Sequence, residues 1–190
     1  MALPVIAAIA LGVAALHESN KAQYKRIEQD RLKDDSGSSL TVAKSPSDYY
    51  SSHTNVMPTP GSIVCCEVFN LLDHTGIWID QDTIIELSDS GLVKSVSCQR
   101  FMEERSGKNL FVACNHQHEP IVIDGCESRA IQSVFSYREY DVINNNCHRF
   151  VNYCLTGVDS ELTLFSSLNS QLANLSGRNI YWDKVKIKTY

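Results

Sequence analysis

One of the seven cysteines in this 190-residue chain stands where a thiol can become a nucleophile. In "DVINNNCHRFVNYCLTG", Cys147, Phe150, Val151 and Cys154 recur at the i, i+3, i+4, i+7 spacing of a single helix face. The asparagines before Cys147 offer an N-cap at Asn145 or Asn146. Thr156-Gly157 offers the stop, because glycine suits the left-handed conformation that follows a helix. Cys147 therefore falls in the first turn, where unpaired backbone N–H groups and the positive end of the helix dipole favour a thiolate and can also face an oxyanion formed beside the sulfur. A free cysteine also serves as a small apolar core residue, so the chemical reading depends on an imidazole that can reach it.

Of the six histidines, His17 and His53 lie in polar N-terminal segments, and His116 and His118 flank a loop as "NHQH". No further Cys/His set has zinc-like spacing, so that loop is expected to be solvated and no metal is implied. His148 follows Cys147 directly and is expected to point in a different helical direction. His74 opens "HTGIWIDQDTIIEL", which reads as two strands, Thr75 to Ile79 and Thr83 to Leu87, turning at Asp80-Gln81-Asp82. If Ile77 and Ile79 share a core face with Ile85 and Leu87, residue 77 pairs with 85 and residue 76 with 86. His74, Gly76, Trp78 and Glu86 then share the other face, with His74 and Glu86 as diagonal neighbours. A carboxylate beside an imidazole fixes its tautomer and stabilises its protonated form, the orienting role in a nucleophile–base–orienter set. Gly76 between them leaves room for a helix end or a substrate to approach the sheet.

Further elements must carry these two pieces. An apolar run from Ile63 to Phe69 follows the Pro60-Gly61 turn, and short strands are expected at Leu92 to Val96, Leu110 to Cys114 and Ile121 to Ile123, with a polar helical insert between the first two of these. "CESRAIQSVFS" places Ala130, Ile131 and Val134 on one helix face, and Phe165, Leu168, Leu172 and Leu175 mark another helix stopped by Gly177. The tail "IYWDKVKIKTY" has the look of a lysine-guarded edge strand. The class is α+β, an antiparallel sheet packed against a helix that bears the cysteine at its N-terminus.

The chain divides into an apolar stretch at 1–17, a polar helix and linker at 18–56, and a folded unit at 57–190. A net charge of -5 and a pI near 5.6, with no Lys/Arg cluster, exclude a nucleic-acid surface. The odd cysteine count and the placing of several in apolar runs indicate reduced thiols. Residues 1–16 carry no charge and lack the basic stretch that precedes a secretory signal. As a helix they would reach roughly 24 Å, enough to associate with a membrane, and Lys21, Lys25 and Arg26 behind them would leave the domain facing the cytoplasm.

Taken together, "PGSIVCCEV", "HTGIWIDQDTIIEL" and "NNNCHRFVNYCLTG" resemble the lecithin:retinol acyltransferase-like proteins, a circularly permuted branch of the NlpC-type papain-like thiol enzymes. The similarity spans about half the chain, and the order of histidine before cysteine is that of the permuted branch. At Glu86 many lipid-acyltransferase members carry a second histidine. The resemblance implies a permuted papain-like fold in which Cys147 attacks an ester, thioester or amide carbonyl and His74 serves as base and then acid. Glu86 would orient His74, backbone N–H groups of Cys147 and His148 would form the oxyanion site, Asn146 would support it, and no cofactor would be needed. Substrates would be acyl-bearing small molecules, lipids or peptides. A peptidase or amidase cleaving peptide, isopeptide or cell-wall amide bonds is a second reading, and a catalytically silent ligand-binding domain a third.

Overall fold

The computed structural model describes residues 29, 31, 54–68, 72–103, 105 and 109–187. The apolar stretch at 1–17 and most of 18–56 lie outside the described residues. Among the described residues, no helix is long and apolar enough to cross a membrane.

Among the described residues, seven strands and four helices of defined extent follow in the order β1 (Asn55–Val56), β2 (Ile63–Val68), β3 (Leu72–Asp80), β4 (Thr83–Leu87), β5 (Val93–Val96), α1 (Cys98–Met102), β6 (Phe111–Cys114), α2 (Cys126–Ser133), α3 (Cys147–Thr156), α4 (Phe165–Ser176) and β7 (Tyr181–Val185). The class is α+β. One sheet holds all seven strands in the order β1-β7-β6-β2-β3-β4-β5, antiparallel throughout except for the parallel pair β1–β7. The hairpin register is the one predicted, with Ile77 opposite Ile85 and Trp78 opposite Ile84.

Strand alternation sends side chains to two faces, and both faces are covered. On one, Ile63, Ile77, Ile85 and Leu87 pack with Phe150, Val151, Cys154 and Leu155 of α3 and with Leu168 and Leu172 of α4. On the other, Val64, Cys66, Trp78, Ile84 and Val112 pack with Phe101 of α1. A residue of the polar N-terminal segment also joins this second layer. Arg31 is buried and donates twice to Asp183, at 2.9 and 2.8 Å, and its guanidinium lies over the Tyr181 ring. A charged side chain enters the interior here because a buried carboxylate meets it with matched geometry. Arg31 and the strand Asn55–Val56 are thus integral to a fold whose expected start was residue 57.

Other local expectations fail for identifiable reasons. Residues 121–123 form no strand. Asn115 accepts the N–H groups of Gln117 and Glu119 through its side chain and turns the chain, so the segment makes only an isolated bridge between Cys114 and Pro120 and one bond from Ile121 N–H to Ala113. Helix α2 buries Cys126, Ala130 and Ser133 and leaves Ile131 exposed, with Val134 already past its end. The tail strand β7 is not an edge, because β1 pairs along its outer side. His118 is not in a solvated loop: it sits with positive φ, its Nδ1 2.7 Å from Arg31 Nη1 and 3.1 Å from Asp183 Oδ2.

Candidate functional site

The cap of α3 fixes the position of Cys147. Asn146, extended at φ -118°, accepts the His148 and Arg149 N–H groups on its Oδ1 at 3.1 and 3.3 Å. Its Nδ2 donates to the carbonyls of Val142 and Thr163, at 2.9 and 2.8 Å. One side chain thus closes the first turn of the helix and ties it to the segments before and after it. At the far end Gly157, at φ 74°, takes the left-handed conformation and returns its N–H to Tyr153, while Arg129 donates to the Cys154 and Leu155 carbonyls. The helix is pinned at both ends, and Cys147 is left buried with 4% of its surface exposed.

The sheet supplies the imidazole. His74 Nε2 lies 2.7 Å from Glu86 Oε2, with both side chains almost wholly buried. The diagonal relation inferred from alternation is therefore a direct bond. Since the carboxylate can only accept, Nε2 carries the proton and Nδ1 is the ring nitrogen left over, while Cys147 Sγ lies 4.0 Å from the carbonyl of Asp73, the residue before His74. The ring rests on Phe101, centroids 4.9 Å apart. Glu86 meets two more cations, Arg105 Nη2 at 3.1 Å and Lys94 Nζ at 3.5 Å. Lys94 faces Glu86 directly across β4 and β5, while Arg105 also donates to the Phe101 carbonyl and lies over the Phe101 ring.

These contacts set the charges. Burial opposes ionisation of Cys147, yet the charges of His74 and His148 and the hydrogen bonds from both outweigh it and hold the thiol well below its usual range. For His74, burial works against the proton, but Cys147 and Glu86 prevail and raise its pKa, with Arg105 opposing. Glu86 is lowered: burial favours its neutral form, and His74, Arg105 and Lys94 override it. Each shift favours the charged form of its group, so the thiol, the imidazole and the carboxylate support one another's ionisation. Elsewhere desolvation wins. Burial pushes Cys66, Cys98 and Cys126 up to about 12 and raises Cys114 and Cys154 as well. None of the seven cysteines is in a disulfide. Asp73, next to His74, is pushed up to about 6 by burial and by the Cys147 charge, against the pull of His148.

The structure thus brings Cys147, His74, Glu86, Asn146 and His148 together, and it corrects three expectations. The His148 side chain does not point away: its Nδ1 lies 3.8 Å from Cys147 Sγ and 3.0 Å from Thr75 Oγ1, with Phe165 against the ring. Its backbone N–H is not directed at an incoming oxyanion, because Asn146 Oδ1 takes it. Nor is there open space over Gly76, where a Cβ would stand 2.7 Å from Ile84 and 2.9 Å from Phe101. Arg105, Thr75 and Asp73 were not anticipated. Lys94 had a signal, since the β4–β5 register sets it opposite Glu86.

Chemically, such a set can form and break an acyl thioester, with a thiolate to attack a carbonyl and an imidazolium to protonate the leaving group. Among the described residues, no three His, Cys, Asp or Glu side chains form a group that could hold a metal. The chain matches no protein-family model and none of the curated proteins.

Proposed function

We propose that the protein is a cysteine-dependent acyl hydrolase or acyltransferase with a permuted papain-like architecture of the lecithin:retinol acyltransferase type. Cys147 is the nucleophile, His74 the base and then the acid, and Glu86 the orienting carboxylate. One arrangement carries this reading: Cys147 opens the capped helix with His148 Nδ1 3.8 Å from its sulfur, beside the strand that holds the buried His74–Glu86 pair, 2.7 Å apart, and the imidazoles lower its thiol while burial raises five of the other cysteines. A packing cysteine would follow the five. The chain order, with the hairpin before the cysteine helix, agrees with the permuted branch.

The substrate class follows from the segments joined to the cysteine helix. Val142 and Ile143 precede the asparagine triplet and Leu164 follows Thr163; all three are exposed, at 59%, 76% and 64%, and Asn146 ties their segments to the start of α3. Large apolar side chains exposed on the segments tied to the start of the cysteine helix favour an acyl chain over a polar peptide. This supports lipid acyl esters ahead of peptide or amide bonds. Membrane association through residues 1–16 would keep the site near such substrates.

Two measurements test the proposal. Limited alkylation of the folded protein near neutral pH, followed by peptide mapping, is expected to modify Cys147 first, and His74→Ala is expected to remove that preference. Intact mass after exposure to lipid extracts is expected to show an acyl adduct on Cys147. Uniform labelling of the cysteines in folded protein would make Cys147 a packing residue and refute the enzyme reading. Selective labelling with adducts formed only from peptide or amide substrates would move the assignment to a peptidase.

A further inference from the structure

We propose that Arg105 is a positioning residue for the acid half of the reaction: by taking a share of Glu86 Oε2 it loosens the carboxylate's hold on His74, so that the imidazolium can give its other proton to a leaving group. This rests on the acyl-transfer reading above. The need comes from the pair itself. An imidazolium backed by a buried carboxylate, with little water to divide the charge, is held strongly in its protonated form and makes a poor acid. A general acid works best when it releases its proton near the working pH. Glu86 is only 2% exposed and His74 is buried, so the two alone would have this fault.

Arg105 counters it. Its Nη2 donates at 3.1 Å to Oε2, the same oxygen that lies 2.7 Å from His74 Nε2, whereas Lys94 Nζ stands 3.5 Å from the other oxygen, Oε1. One oxygen thus serves two donors, and a positive charge stands behind the acceptor on which the imidazolium relies. Arg105 is accordingly among the charges that oppose the proton on His74. It is anchored apart from Glu86: Nη1 donates to the Phe101 carbonyl, and the guanidinium lies over the Phe101 ring, 5.2 Å from the centroid. The His74 ring rests on the same phenyl group. Glu86 in turn is fixed by β4, where it pairs with Lys94, and by its bond to His74, so removing Arg105 leaves the carboxylate in place.

The alkaline limb of the pH profile reports this arrangement. Cys66, opposite His74 on β2, is pushed up to about 12 by burial and stays neutral below that. Asp73, beside His74, is pushed up to about 6 and is ionised above it, while Tyr140 is raised by burial and by the Cys147 charge. His148, 3.8 Å from the Cys147 sulfur, and Lys94 are the same in every protein compared. In the reaction, the Cys147 thiolate forms a C–S bond and the carbonyl π pair moves onto oxygen. The pair returns to re-form C=O as the bond to the leaving group breaks, and the leaving group takes the His74 proton that Glu86 does not hold. His74 is left neutral with Nε2–H still on Glu86, and Arg105 exchanges no proton.

The test compares two butyrate esters on the full chain. 4-Nitrophenolate departs without a proton, whereas the alkoxide of 2,2,2-trifluoroethyl butyrate must be protonated as it leaves. Acylation of Cys147 is followed across the pH range in wild type, Arg105→Gln and Arg105→Lys, each checked for folding by its urea midpoint. The protonated imidazole acts, so activity is lost as pH rises through the His74 pKa. Arg105→Gln removes an opposing cation and is expected to move that limb up by about one pH unit. On the plateau it is expected to slow the trifluoroethyl ester about three- to tenfold and the nitrophenyl ester less than about twofold, because only the first depends on acid strength. Arg105→Lys, which keeps the charge, is expected to recover most of both effects. A clamp that merely held Glu86 would give the opposite sign, since its loss would weaken the Glu86–His74 bond and move the limb down. A limb that moves down or stays, equal losses with both esters, or no recovery by lysine would overturn the assignment and leave the acyl-transfer reading standing. Arg105→Met, whose stem still packs on Phe101, is read in the same way if Arg105→Gln does not fold. A wild-type protein that alkylates at Cys147 but is acylated by neither ester would overturn both.

Discussion

Glu86→Gln is the most informative single substitution, because the carboxylate does three jobs that the amide cannot all take over. It accepts from His74 at 2.7 Å, and it faces Arg105 and Lys94 in a site where it is only 2% exposed. A hydrogen bond to a charged group is worth about 1.5–3 kcal/mol, and burial leaves little solvent to screen this one. At about 1.4 kcal/mol per tenfold in rate, full loss would cost about 10- to 100-fold or slightly more. The amide oxygen still accepts from Nε2, which moderates the loss, but Arg105 is left without its counter-charge and opposes the proton on His74. We therefore expect acylation to fall by about 10- to 100-fold.

The pH profile carries the sharper signature. The ion pair exists above the Cys147 pKa, which is lowered, and below the His74 pKa, which is raised in part by Glu86. Removing the carboxylate lowers the His74 pKa, so the alkaline limb of the acylation profile is expected to move to lower pH. Replacing Arg105 by Gln in the same protein is expected to move that limb part of the way back. Stopped-flow acylation by 4-nitrophenyl butyrate between pH 4 and 10 provides the assay. An unchanged alkaline limb in the folded single variant would show that Glu86 does not hold the His74 proton, and the orienting role would be lost.

Two further outcomes are expected. Gly76→Ala sets a Cβ against Ile84, Phe101 and the Ile85 carbonyl, so it should cost about 1–3 kcal/mol in urea denaturation and lower acylation further by displacing the Phe101 ring under His74; wild-type values for both would show that the strand accommodates the methyl. Asp183→Ala leaves Arg31 without its buried carboxylate and is expected to cost about 3–5 kcal/mol, read from the same denaturation midpoint, whereas a loss under 1 kcal/mol would mean that the N-terminal segment contributes little to the fold.

Where sequence succeeded, the information was local or enforced by period. Ile77, Ile79, Ile85 and Leu87 could share a face in only one register, and that register fixed His74 and Glu86. The turn-forming asparagines and Gly157 bracketed α3, so Cys147 could be placed at its start. The failures came from partners distant in the chain. His148 is turned toward the sulfur by Thr75, 73 residues earlier, and by Phe165 on α4; neither leaves a trace around position 148. Arg31 reads as part of a solvated helix until Asp183, 152 residues on, gives it a buried counter-charge. β1 is two residues long and can show no periodicity, so β7 looked like an edge. Sheet faces follow side-chain alternation, but the charged groups that enter a site from other elements follow topology.

The brace at Asn146 also bears on when the thiol becomes reactive as the chain folds. It joins Val142, the start of α3 and Thr163, and the sulfur it positions meets a strand residue 74 places earlier in the chain, at the Asp73 carbonyl. Contacts of such separation form late, because closing the intervening loops costs entropy before it yields stability. Until then Cys147 has neither imidazole beside it nor a capped helix behind it, and it is an ordinary thiol. On the proposed function, a chain still emerging from the ribosome, or one arrested partway through refolding, would be spared premature acylation, and the gain of nucleophilicity would mark completion of the native topology.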